Sequence, residues 1–147
     1  MKYSTIVEAL GGEKVVGYPL HSELDMVALV RHGLTKQALF HLADTLRLTP
    51  SEAAQIFHVS LRTLQRYKQT KNLKQELLDS AVSDRMVQLA DLYAYGSEVL
   101  GEDIFLRWLQ TPLRTLGGKM PKELLFSSIG IDMVKDELTR IEHGVYA

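Results

Sequence analysis

The chain has 147 residues, 46% of them apolar and 24% charged, and its 17 lysines and arginines against 18 acids leave a formal charge of -1. That is the composition of an ordinary soluble domain, long enough for one core or for two small units sharing one. The lack of cysteine excludes disulfides, thiol nucleophiles and cysteine-ligated metals, and no apolar run approaches the roughly 20 residues that span a bilayer.

The opening stretch meets Glu8 and then Gly11-Gly12 too soon for a signal-peptide core, so the cytoplasm is the expected compartment. The charge is unevenly spread. Residues 31–78 hold Arg31, Lys36, Arg47, Arg62, Arg66, Lys68, Lys71 and Lys74 against only Asp44, Glu52 and Glu76, while the stretches on either side are net negative. Such asymmetry points to a polyanion partner for the middle segment.

Period-2 apolar runs are missing and the pattern predicts helices throughout, an all-α fold. Ser22 opens a helix, with Asp25 as capping-box partner and Gly33 closing it. Thr35 opens the next, whose Ala38, Leu39, Leu42, Ala43 and Leu46 share one face. Thr49-Pro50-Ser51-Glu52 is the best start signal in the chain: a cap, a proline at the first helical position and a box glutamate. Ser60 caps a helix expected to run to about Lys71.

From about Leu73 to Leu100 the spacing predicts one long amphipathic helix bearing Leu78, Val82, Met86, Leu89 and Tyr93, weakened at Gly96 and ended by Gly101. Beyond it three short helices are expected. The first carries Ile104, Phe105, Trp108 and Leu109 on one face. A second starts at Pro121 after a Gly117-Gly118 turn. The last is capped by Asp132, buries Val134, Leu138 and Ile141, and stops at Gly144. The expected division is residues 1–78 and 79–147, joined through the long helix.

Residues 49–70 have the anatomy of a helix-turn-helix. Ala53 and Ala54 are small enough for a second helix to cross closely, and His58-Val59-Ser60 makes the turn. The second helix is expected to bury Leu61 and Leu64 and to turn Arg62, Thr63, Gln65, Arg66 and Lys68 outward. Arginine reads guanine and glutamine reads adenine through paired hydrogen bonds, whereas Ser60, Thr63 and Lys68 are of the types that hold phosphate. Reading falls to the N-terminal residues of a recognition helix, and one such helix touches little DNA, so a homodimer on a palindromic operator is expected.

An ordered set of short motifs extends the pattern: Thr63-Leu64-Gln65-Arg66, then Ser83-Asp84-Arg85, Gly101, Trp108-Leu109, Leu116-Gly117-Gly118-Lys119 with Pro121, Leu124-Leu125, and finally Leu138, Arg140-Ile141 and Gly144-Val145-Tyr146-Ala147. In order and spacing these resemble the Xre/MbcA/ParS antitoxins over nearly the whole chain. The resemblance implies a helix-turn-helix half followed by a toxin-binding half. It further implies a RES-domain toxin that consumes NAD as protein partner, closure of that toxin's active site, and repression of the antitoxin's own operon. One departure is Met120, where the family often has a capping threonine, a difference of roughly 1 kcal/mol if nothing substitutes.

The C-terminal segment reads as a plug. NAD carries two phosphates, so a toxin that consumes it needs cationic groups in its pocket. A tyrosine followed by a terminal carboxylate suits such a cleft, which makes Ile141, His143, Gly144, Val145, Tyr146 and Ala147 the expected toxin contacts. A frayed tail is the plainer alternative.

No catalytic constellation emerges, so no enzymatic activity and no cofactor are expected. His21, His32, His41, His58 and His143 lack metal-site spacing, and Gly11-Gly12-Glu13-Lys14 and Gly117-Gly118-Lys119 lack the length and trailing hydroxyl of a phosphate loop. The competing function is a free-standing helix-turn-helix transcription regulator whose C-terminal half dimerises or senses an effector.

Overall fold

The computed structural model describes residues 2–144. Among them are nine α-helices: α1 (Lys2–Ala9), α2 (Glu13–Val16), α3 (Glu23–His32), α4 (Lys36–Thr45), α5 (Pro50–Phe57), α6 (Leu61–Lys68), α7 (Ser80–Leu100), α8 (Glu102–Trp108) and α9 (Ser128–Glu142). Two single-turn 3-10 segments, Arg114–Leu116 and Pro121–Leu124, connect α8 to α9. The described residues form no strand, only two isolated bridges.

Most starts lie where short polar side chains can satisfy the open N–H groups of a first turn. Thr35 Oγ1 accepts from Ala38 N at 3.1 Å. Thr49 and Glu52 form the full reciprocal box, at 3.1 and 2.8 Å. Ser60 Oγ accepts from Thr63 N at 2.9 Å. At α3, Ser22 caps as expected, but the Asp25 carboxylate accepts from His21 N, one residue upstream of the expected box partner.

The long helix starts later than its apolar pattern suggests. Residues 73–79 are not helical because they serve the start of α4: Lys36 N donates to Glu76 O and Gln37 N to Leu73 O, each at 3.2 Å, and Leu78 N donates to Leu34 O at 2.7 Å. Lys36 also pairs with the Glu76 carboxylate. Asp79 then caps α7, accepting from Val82 N at 2.9 Å. The 21 residues of α7 make a rod about 30 Å long at ~1.5 Å per residue.

That rod is the axis of the molecule. Helices α1, α3, α8 and α9 pack around it, and α4 and α5 touch it. The core runs without a break from Ile6 and Leu10 through Leu29, Leu39, Leu42 and Phe57 to Met86, Leu89 and Leu92, and on to Phe105, Val134 and Leu138. Helix α1 was not foreseen, although Ile6, Ala9 and Leu10 carry its buried i, i+3, i+4 stripe.

Gly96 has a packing reason. A Cβ there would lie 2.2 Å from ring carbons of Phe105, so only glycine lets α8 fold back against α7. Phe105 meets Tyr93 edge-on at 6.2 Å and Trp108 in a stack at 6.0 Å. Ile104, expected on this face, is instead 52% exposed, and Trp108 is half-buried against the core. The following loop closes with Leu113 N donating to Lys119 O at 3.0 Å and Gly118 N to Leu113 O at 2.9 Å. Gly117 and Gly118 both sit at positive φ, 68° and 80°, which side-chain-bearing residues rarely adopt.

At Met120 half of the capping box survives: the Glu123 carboxylate accepts from Met120 N at 2.8 Å, while no side chain supplies the other half. Leu125 is fully buried and Leu124 half-buried. The last helix begins at Ser128, with Ser127 Oγ accepting from Gly130 N at 3.0 Å, rather than at Asp132, which lies a turn inside. The earlier start puts Ile131 in phase with Val134 and Leu138 in the core.

Candidate nucleic-acid interface and toxin-binding face

Helix α5 buries Ala53, Ala54, Ile56 and Phe57. The chain then reverses at His58, whose φ of 59° is left-handed, and Val59 N donates to Ala54 O at 3.0 Å. Helix α6 follows and anchors itself through Leu64, which is 3% exposed. Leu61, expected beside it in the core, lies substantially in solvent because only one narrow row of α6 faces α5.

Arg62, Gln65, Arg66 and Lys68 are all exposed. The side chains of Arg62, Gln65 and Arg66 have no hydrogen-bond or ion-pair partner among the described residues. Lys68 Nζ lies 5.4 Å above the Phe40 ring, which directs its charge back across the helix. Ser60 is exposed, and its hydroxyl donates to Thr63 Oγ1 at 2.8 Å while accepting from Thr63 N. Thr63 itself is half-buried and so does not share the outward row. Exposed Lys71 and Lys74 continue the positive surface in the loop after α6.

At the other end of the chain, Ile141 is half-buried and His143 and Gly144 are exposed. Val145, Tyr146 and Ala147 lie outside the described residues. The end of α9 is clasped to α7, where the Tyr95 hydroxyl donates to Glu142 Oε1 at 2.9 Å and lies 2.9 Å from Thr139 Oγ1. A second feature here was not foreseen. Ile129 (75% exposed) and Met133 are one turn apart on the outer face of α9, with exposed Phe126 just before them. The available signal was a surplus: Ile129 and Met133 are out of phase with the core row Ile131, Val134 and Leu138.

The two ends are tied together. Lys122 Nζ pairs with Glu52 of α5 at 2.8 Å, and Arg85 Nη1 donates to Leu125 O at 3.2 Å. Burial opposes ionisation of Glu52, but Lys122 and the Thr49 N–H outweigh it and hold the carboxyl below its usual value. Among the described residues no group of three or more histidines and carboxylates is placed to hold a metal, and no helix is long and apolar enough to cross a membrane.

An all-α protein that presents a polar, cationic helix from a capped helical hairpin, and that carries a second helical unit on the same rod, is a helix-turn-helix protein with an appended interaction domain. The model of the antitoxin Xre-like helix-turn-helix domain matches residues 25–91, and that of the antitoxin Xre/MbcA/ParS C-terminal toxin-binding domain matches residues 96–144. Together the matches take in most of the chain, and the chain belongs to the Xre family of antitoxins. Comparison with curated proteins gives no match. Residues 1–24, which include α1 and α2, lie outside both matches.

Proposed function

We propose that this antitoxin neutralises a RES-domain, NAD-consuming toxin in the cytoplasm and, as a homodimer, represses its own operon. Residues 1–78 serve operator binding and residues 79–147 toxin binding. Base contacts come from Arg62, Gln65 and Arg66, with Ser60 and Lys68 on phosphate and Thr63 holding Ser60 in place for that contact. Inhibition comes from the segment Ile141–Ala147, whose Tyr146 and terminal carboxylate occupy the cleft that takes the dinucleotide.

The observation that carries the reading is the pairing, in one molecule, of an unpartnered Arg62–Gln65–Arg66 row on α6 with a family-matched toxin-binding unit. Within that unit, exposed Ile129 and Met133 give the toxin an apolar seat on α9. The test is co-expression with a RES-domain toxin. Restored growth, a co-purified complex and preserved cellular NAD support the reading. Continued NAD loss beside a soluble, folded chain rejects it and favours the free-standing regulator.

A further inference from the structure

We propose that the groove between α3, α7 and α9 seats a second copy of this chain, with Arg31 of each copy entering the groove of the other. This rests on the homodimer reading above and names its interface. The groove encloses about 380 Å³. Its floor is apolar, made by buried Val87 and Ile131, and Met26, Val30 and the exposed Val27 of α3 form one wall and its edge.

Four carboxylates, Glu23, Asp84, Asp91 and Asp132, line the groove against one cation, Lys135, which is already paired with Asp91. Asp84 and Asp132 on its rim are exposed carboxylates with no ion pair among the described residues. Gln88 Oε1 is buried without a partner, while its amide nitrogen is 3.3 Å from Ser128 Oγ. Asp91 is the exception, bridged to Lys2 and Lys135 at 3.2 and 2.9 Å. A slot of this kind fits a long side chain with an apolar stem and several donors, which is what arginine offers.

Helix α3 supplies that side chain. Arg31 is exposed and without a partner among the described residues, one turn beyond Val27 on the outer face of α3. Leu24 and Val27, 80% and 63% exposed, complete an apolar lip beside it. A projecting row and the complementary slot therefore sit side by side on one surface. A twofold interface needs that arrangement, because each copy must present both halves of the contact.

The placement also leaves the other surfaces clear. No residue of α5 or α6 lines the groove, so both reading helices stay free for DNA. Ile129 and Met133 of α9 do not line it either.

The test is sedimentation of the full chain at micromolar concentration, with circular dichroism to check folding of each variant. Arg31→Glu and Val27→Asp, both surface changes, should each raise the dimer's dissociation constant about tenfold or more. Arg31→Glu combined with Asp84→Arg and Asp132→Arg should restore it to within about threefold of the parent. Toxin binding should be unchanged by the two single changes on α3. A parent chain that stays monomeric overturns the homodimer reading and this inference with it. A parent dimer that tolerates both single changes leaves the homodimer standing and removes this groove as its interface. Variants that stay dimeric but lose the toxin show that the groove's occupant is the toxin. A triple swap that fails to restore the dimer removes the Arg31 pairing.

Discussion

His58 Nε2 donates to the backbone carbonyl of Phe126 at 2.6 Å, which fastens the turn of the helix-turn-helix to the segment that leads into α9. Because a carbonyl can only accept, Nε2 carries the proton. His58→Asn retains a residue that tolerates the left-handed φ but is too short to reach Phe126. The variant should lose about 0.5–1 kcal/mol, read from the urea midpoint, and still unfold in a single transition because the core is continuous.

Glu52 couples the same two regions through a charge. Its carboxyl is held below the ordinary value near 4.5. A depressed folded-state pKa contributes stability that is complete above the unfolded value and lost as pH falls through the folded one. Glu52→Gln keeps much of the capping geometry and removes the Lys122 pair. The variant should be less stable than the parent by about 0.5–1 kcal/mol at pH 7. The gap should close as pH falls below about 4. Denaturation midpoints compared at pH 7 and pH 3 check this, and a gap that persists unchanged at pH 3 would show that Glu52 acts through packing.

Gly96→Ala places a methyl where the Phe105 ring lies, 2.2 Å from its nearest carbons. Helix propensity favours alanine by about 1 kcal/mol, but overpacking costs about 1–3 kcal/mol and displaces α8. Net destabilisation, together with a changed Trp108 emission because that ring stacks on Phe105, is the expected result.

Local chemistry made much of the fold readable. Caps act within three residues, so Thr35, Thr49 and Ser60 mark helix starts in the sequence as they do in the structure. The start of α7 was hidden because Leu73 and Glu76 complete the first turn of a helix some 40 residues upstream, and no periodicity records that. Helix α1 is hard to read because it starts at Lys2, ahead of the hydroxyl residues Ser4 and Thr5 that would mark a start, and its eight residues hold only a short apolar stripe. At the candidate site, the exposed row of α6 follows from charge and spacing alone. Leu61 and Thr63 do not, because their exposure depends on how α6 leans on α5. Ile129 and Met133 required knowing which side of α9 faces the core.

The row on α6 sets the expected behaviour on DNA. Arg66→Ala should weaken operator binding by about 1–3 kcal/mol if its guanidinium grips a base edge, and should relax preference at one position of each half-site. Lys71→Ala, in the loop, should weaken binding to all sequences alike and reduce the salt slope. Fluorescence anisotropy across a salt series separates the two. Operator binding that survives Arg62→Ala combined with Arg66→Ala would remove α6 as the reading element.

In the proposed mode of inhibition the segment after α9 silences the toxin. The helix ends at Glu142 and its last turn is held to α7 by Tyr95 through Thr139 and Glu142. Deleting Val145-Tyr146-Ala147 removes an aromatic anchor and draws the terminal carboxylate back by about 3.3 Å per extended residue. None of the core or of the clasp is touched, so the thermal midpoint should barely move. The toxin should still associate, more weakly, through Ile129 and Met133, yet its NAD turnover should return in the complex. Tyr95→Phe is the complementary change: it keeps the tail and loosens its launch point, and should restore only part of the turnover. NAD consumption measured at matched occupancy distinguishes the outcomes. Full suppression by the truncated chain would place inhibition in the scaffold contacts of α9 and leave the tail without a role.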